Sequence, residues 1–94
     1  SKYITVFAKN ELKIYDSSAS NIKTLNIEIS RPLKNTNGKY LLMAENEGKN
    51  IYLIEDTNIV WKNEIEGKIS KINVNENGYV SVISTNNAYI CINL

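Results

Sequence analysis

The chain has 94 residues and a mass of 10.7 kDa, with 43% hydrophobic and 22% charged residues, enough for one packed domain and far from the polar, highly charged compositions that stay disordered. Its formal net charge of +1 comes from scattered lysines and acids with a single arginine, Arg31, which excludes the clustered basic face that nucleic acid or anionic lipid requires. There is no histidine, so Ser-His-Asp and Cys-His constellations cannot form, and the lone cysteine, Cys91, permits neither an intrachain disulfide nor a cysteine-based zinc site.

The apolar residues are chiefly Ile, Val, Leu and Tyr, a β-branched and aromatic bias that favours pleated surfaces. In chain order the pattern predicts strands over Tyr3 to Phe7, Leu12 to Tyr15, Thr24 to Ile29, Tyr40 to Ala44, Ile51 to Ile54, Ile59 to Ile65, Lys68 to Val74, Tyr79 to Ile83 and Ala88 to Ile92. Asn37-Gly38 and Asn77-Gly78 are hairpin signals, because a type I′ turn needs positive φ at both central residues and Asn and Gly reach it most cheaply. Glu47-Gly48 and Glu66-Gly67 mark further turns, and Pro32 ends a run after Arg31.

The chain also echoes itself. Asn37-Gly38-Lys39-Tyr40-Leu41-Leu42-Met43-Ala44 returns as Asn77-Gly78-Tyr79-Val80-Ser81-Val82-Ile83-Ser84, and each copy leads into a second apolar run, Ile51 to Glu55 and Ala88 to Ile92. The opening pair, Tyr3 to Ala8 and Leu12 to Asp16, has the same form. Equating Tyr3, Tyr40 and Tyr79 gives spacings of 37 and 39 residues, within the range of propeller blades. One period holds an inner strand before the Asn-Gly turn, the two aligned strands, and an outer strand carrying Ile59-Val60-Trp61, four in all. Leu41, Leu42 and Met43, and likewise Val80, Val82 and Ile83, are then expected to be buried on both faces of their sheets.

The run at 77 to 84, the Tyr-x-Cys-x-Asn strand after it, and Ile59-Val60-Trp61-Lys62 leading to Glu66-Gly67-Lys68-Ile69 resemble blades of PQQ-type and WD-like bacterial β-propellers. The likeness is closest to an uncharacterised, membrane-anchored propeller family of low-GC Gram-positive bacteria. That resemblance implies an extracellular or cell-surface domain held by an anchor outside this chain, a cytoplasmic location being the alternative. The chain departs from the WD pattern in having no histidine and no Trp-Asp pair, and it carries no Gly-rich tryptophan docking signature, so quinone binding is not implied. The fifteen asparagines, where about four or five would be ordinary, read as the coding bias of an AT-rich genome.

Candidate chemistry is sparse. The paired acids Glu45 and Glu47, Glu55 and Asp56, and Glu64 and Glu66 fall at strand ends and turns, where solvated charge is the default reading and acid-base work the alternative. Asn73-x-Asn75-x-Asn77-Gly78 mimics the start of a calcium loop, but its first ligand would be a neutral amide and its twelfth position is Ser84 in place of a bidentate Glu; a turn covers it, as it covers Asn35-x-Asn37-Gly38. Tyr3, Tyr15, Tyr40, Tyr52, Tyr79 and Tyr89 with Trp61 could line a carbohydrate or peptide face, yet their repeat positions point to packing between blades. Cys91 reads as a small core residue.

The sequence therefore predicts a single all-β domain over residues 1–94, made of antiparallel four-stranded propeller-type blades. It holds about two and a half repeats: a partial blade over residues 1–30, a full blade over 31–67 and a partial blade over 68–94. A small β-sandwich or barrel is the alternative. The expected function is a non-enzymatic binding or scaffolding module with no catalytic residues, cofactor or metal, the alternative being a fragment of an enzymatic propeller whose active site lies elsewhere. Expected partners are other copies through open sheet edges and an unidentified protein or glycan, without nucleic acid or direct membrane insertion. No run approaches the roughly 20 apolar residues of a membrane span, and a chain whose first residue is Ser1, not Met, with a strand-like run beginning at once with Tyr3, reads as a piece of a longer protein.

Overall fold

The computed structural model describes residues 3–85 and 88–91, the last four by their backbone alone. Among the described residues there is no helix, and hence none long and apolar enough to cross a membrane. The strands are β1 (Ile4–Ala8), β2 (Glu11–Tyr15), β3 (Asn21–Asn26), β4 (Pro32–Asn37), β5 (Tyr40–Glu45), β6 (Asn50–Glu55), β7 (Asn58–Glu64), β8 (Ile69–Val74), β9 (Val80–Ser84) and β10 (Ala88–Cys91). They form three antiparallel sheets in simple up-and-down order: β1-β2-β3, β4-β5-β6-β7 and β8-β9-β10.

The central sheet is buried on both faces, and alternation along its strands divides its side chains between two cores. Leu41, Met43, Tyr52 and Ile54 pack against Leu12, Ile14, Leu25, Ile27 and Ile29 of the first sheet and its exit segment. Their neighbours Leu42, Ala44, Ile51, Leu53 and Trp61 pack against Ile65, Ile69, Val74, Val80 and Val82 on the side of the third sheet. Burying an aliphatic side chain of this size stabilises by about 1.5–3 kcal/mol, so an unbroken apolar run in β5 and β6 is what two simultaneous cores demand.

Ladder register makes the repeat structural. Ile14 and Leu53 each precede a bulge at the same place in their sheets, after which Tyr15 faces Asn21 and Ile54 faces Ile59. Beyond the bulge, the Ile27 amide donates to the Asn10 carbonyl and the Ile65 amide to the Lys49 carbonyl, both at 2.9 Å. By register, Ile4, Leu41 and Val80 are equivalent, as are Val6, Met43 and Val82. Where another sheet lies on that side, these positions are 8% exposed or less; Ile4 and Val6, on the outward face of the first sheet, are 57% and 50% exposed. Ile83 faces outward at the other end and is 47% exposed, while its equivalent Ala44 is fully buried. The expectation that Ile83 is buried with Val80 and Val82 therefore fails: among the described residues the third sheet is covered on one face only.

The turns differ from expectation. Asn37 is the last residue of β4, facing Tyr40, so the two-residue loop is Gly38-Lys39, with positive φ at Gly38 alone. Positive φ at both central residues, the type I′ pattern, occurs instead at Lys9 (53°) and Asn10 (64°) between β1 and β2. Asn77-Gly78 belongs to a longer loop in which the Gly78 amide donates to the Asn75 carbonyl and the Asn75 side chain accepts from the Asn77 and Tyr79 amides. The same loop is built at Asp16–Ser20: the Asp16 carboxylate accepts from the Ser18 and Ser20 amides, and Ala19 takes the left-handed position at φ 65°. This loop sends the chain straight back along β2, so β3 occupies Asn21–Asn26 and not Thr24 to Ile29; Ile27 and Ile29 are buried in the segment that leaves it. Pro32, expected only to end a run, opens β4, where a strand's first position tolerates a missing N–H.

Candidate functional site

Several polar side chains join one sheet to the next. Between β3 and β4 the chain leaves the first sheet and enters the second, and its main chain is captured on the way. The Glu28 amide donates to the Tyr52 hydroxyl at 3.1 Å, and Asn50 Nδ2 donates to the Glu28 carbonyl at 3.3 Å. The Ser30 and Arg31 amides each donate at 2.7 Å to the Glu45 carboxylate, one to each oxygen. The corresponding crossing into the third sheet uses a hydroxyl: the Lys68 amide donates to Thr85 Oγ1 at 2.7 Å. Glu45 thus fixes a linker, and charge-assisted bonds of this kind stabilise by about 1.5–3 kcal/mol each when shielded and less when exposed. Glu45→Ala is expected to lower stability by about 1–2 kcal/mol in urea titrations, with Glu45→Gln retaining part of it, since an amide oxygen can still accept.

The other paired acids are not brought together as a site. Glu47 is exposed at φ 61° and its amide donates to the Ile69 carbonyl, tying the β5–β6 loop to β8. Glu55 forms an ion pair with Lys39 at 3.4 Å, and Asp56 takes the positive-φ position of the β6–β7 turn. Glu64 and Glu66 are exposed. Glu55 holds the Lys39 ammonium above the usual lysine range, with the Tyr40 phenol adding to it; Nζ also lies 5.4 Å from the centre of the Tyr40 ring. A raised lysine pKa supports the fold at neutral pH and loses that support as pH climbs through it; both side chains are exposed, so the effect is small.

The aromatic residues do not share a face. Trp61 is 7% exposed in the core beside the third sheet, and Tyr52 is 4% exposed in the other. Tyr40 lies over Gly78 of the next sheet's loop, where an added Cβ would sit 2.8 Å from the ring. Tyr3 packs at the margin of the first core, and Tyr79 is 47% exposed. Tyr89 lies outside the residues whose side chains are described, as does Cys91, whose backbone faces Val80.

Asparagines supply a junction that local pattern does not reveal. β4 and β8 run side by side, and Asn35 Oδ1 accepts from the Val74 amide at 2.9 Å while Asn37 Nδ2 donates to the Val74 carbonyl at 3.3 Å. Two asparagines spaced by one residue thus take both main-chain groups of one residue in the next inner strand. Register equates Asn35 with Asn73, which faces Ser81 as Asn35 faces Leu42.

Two open clefts lie along the first junction. One, about 310 Å³, is lined by Glu28, Asn50, Tyr52, Lys62, Asn63 and Glu64, of which Asn50 and Tyr52 already hold the linker at Glu28. The other, about 350 Å³, runs between β1 and the β4–β5 hairpin, past Tyr3, Thr5, Thr36, Asn37 and Asp56.

A protein of stacked, meandering antiparallel sheets joined by side-chain clamps is the class these features define. The chain belongs to a family of unknown function (DUF5711), whose model matches residues 1–94. No curated protein and no solved structure matches it.

Proposed function

We propose that the chain is a non-enzymatic binding or scaffolding module, built from blade-like sheets of a β-propeller-type repeat within a surface-anchored bacterial protein. The observation that carries this reading is the central sheet, covered on both faces by sheets of the same strand order and register. Glu45, Asn35, Asn37 and Tyr52 are committed to joining those sheets, since all four hold main chain. Such a frame presents loops at fixed separations, and recognition through loops on a rigid scaffold is the chemistry it serves.

A glycan array probed with the labelled chain, followed by titration of each hit and analysis of the mixture, tests the proposal. Saturable binding with the ligand recovered intact is expected. Conversion of any ligand, or uniform failure to bind glycans together with failure to bind proteins of the bacterial surface, overturns it.

A further inference from the structure

The first sheet lacks, among the described residues, the strand that β4 and β8 provide in the other two. The pairing rule for a two-residue hairpin fixes which main-chain groups that leaves outward. Ala8 and Glu11 close the β1–β2 hairpin as a hydrogen-bonded pair, so Phe7 and Thr5 fall at the alternate, non-bonded positions and aim their N–H and C=O groups away from β2. Their register equivalents in β5, Ala44 and Leu42, face Leu33 and Asn35 of β4. By the same rule Asn37 and Tyr40 close the β4–β5 hairpin, and Thr36 turns its N–H and C=O out of β4, on the edge away from β5. Thr36 faces Leu41 as Val74 faces Val80, and Val74 is the residue clasped by Asn35 and Asn37.

The open edge of β1 and the outward groups of Thr36 meet across the 350 Å³ cleft lined by Tyr3, Thr5, Thr36 and Asn37. From this juxtaposition we infer that the cleft is a docking slot for one extended strand of the same repeat. That strand runs antiparallel to β1, carries an asparagine opposite Thr5 and a second asparagine two residues later, and clasps Thr36 as Asn35 and Asn37 clasp Val74. The mode is strand addition, with main-chain bonds supplying affinity and the two carboxamides supplying selectivity. It is independent of the binding-module reading, since it follows from register and hydrogen bonding within the chain.

A fluorescent peptide of the sequence at residues 31–38, Arg-Pro-Leu-Lys-Asn-Thr-Asn-Gly, titrated with the 94-residue chain tests the slot. Saturable one-to-one binding is expected. Replacing both peptide asparagines by alanine is expected to weaken it by at least about tenfold, and N-methylation of the peptide at the asparagine opposite Thr5 to abolish it. Because these changes are made in the peptide, folding of the chain is untouched. Thr5→Pro in the chain removes an outward N–H without touching the β1–β2 ladder, and its folding is checked by circular dichroism before its expected loss of binding is read. Absence of saturable binding, equal affinity of the Asn-to-Ala peptide, equal affinity of the N-methylated peptide, or self-pairing of the chain that leaves the peptide unbound would each overturn the inference.

Discussion

Ile51→Ala and Ile54→Ala are each expected to lower the unfolding free energy by about 2–5 kcal/mol, and the double variant by nearly the sum. Both side chains are essentially inaccessible, at 0% and 1% exposure, yet they lie on opposite faces of β6 in different cores. Three residue steps along the strand separate them by roughly 10 Å, at the outer limit of the range over which substitutions usually couple. Urea titrations of the two single variants and the double variant give the coupling directly. Near-additive values fit two cores divided by a sheet; a coupling of several tenths of the total would show that the two cores yield as one. With domain stabilities of about 5–15 kcal/mol, the double variant is expected to be largely unfolded in water.

The second large effect is expected at Gly78. Its φ of 84° costs any L-residue about 1–2 kcal/mol, and an added Cβ would meet Cζ of Tyr40 at 2.8 Å and the hydroxyl at 3.0 Å. Overpacking of that kind costs about 1–3 kcal/mol more, so Gly78→Ala should lose about 2–5 kcal/mol. Gly38 separates the two contributions. It also has positive φ, 58°, but an added Cβ there would meet nothing within 4 Å, so Gly38→Ala should lose only the backbone part. Repeating Gly78→Ala on a Tyr40→Ala background should reduce its cost to that of Gly38→Ala. Equal costs with and without the Tyr40 ring would show that the ring does not rest on the glycine.

Most strands are legible because the two periodicities that matter are written in the residues: alternation within a strand, and the recurrence of Tyr3, Tyr40 and Tyr79. Where the pattern misleads, the cause is turn chemistry carried by unexpected residues. Ala19 holds a left-handed position usually given to Gly or Asn, so nothing in Asp16-Ser17-Ser18-Ala19-Ser20 announces that β3 begins at Asn21. The Asn-Gly pairs have the form of central turn residues, whereas Asn37 finishes a strand and works across a junction. That work joins Asn35 to Val74, 39 residues away, and no local window contains both. Glu45 is similarly invisible, since a carboxylate at a strand end looks the same whether it faces water or gathers two amides. Ile83 misleads for a different reason: its side chain suits burial, and only its place at the end of the stack leaves it uncovered.

The equivalence of Ile4 with Leu41 and of Ile83 with Ala44 gives the stack a polarity, in the way that nested chairs all face one direction. Every sheet presents one kind of surface toward the sheet before it and another toward the sheet after it. Contact between unlike surfaces is heterologous, so adding a unit to either end recreates the surface it has just covered. Growth of such an array ends only when its last surface meets its first or when a terminal unit presents a polar outer face. At the two outward faces Ile4 and Val6 are exposed on the first sheet, whereas Ile83 on the third lies among the exposed polar residues Lys71, Asn73 and Ser81.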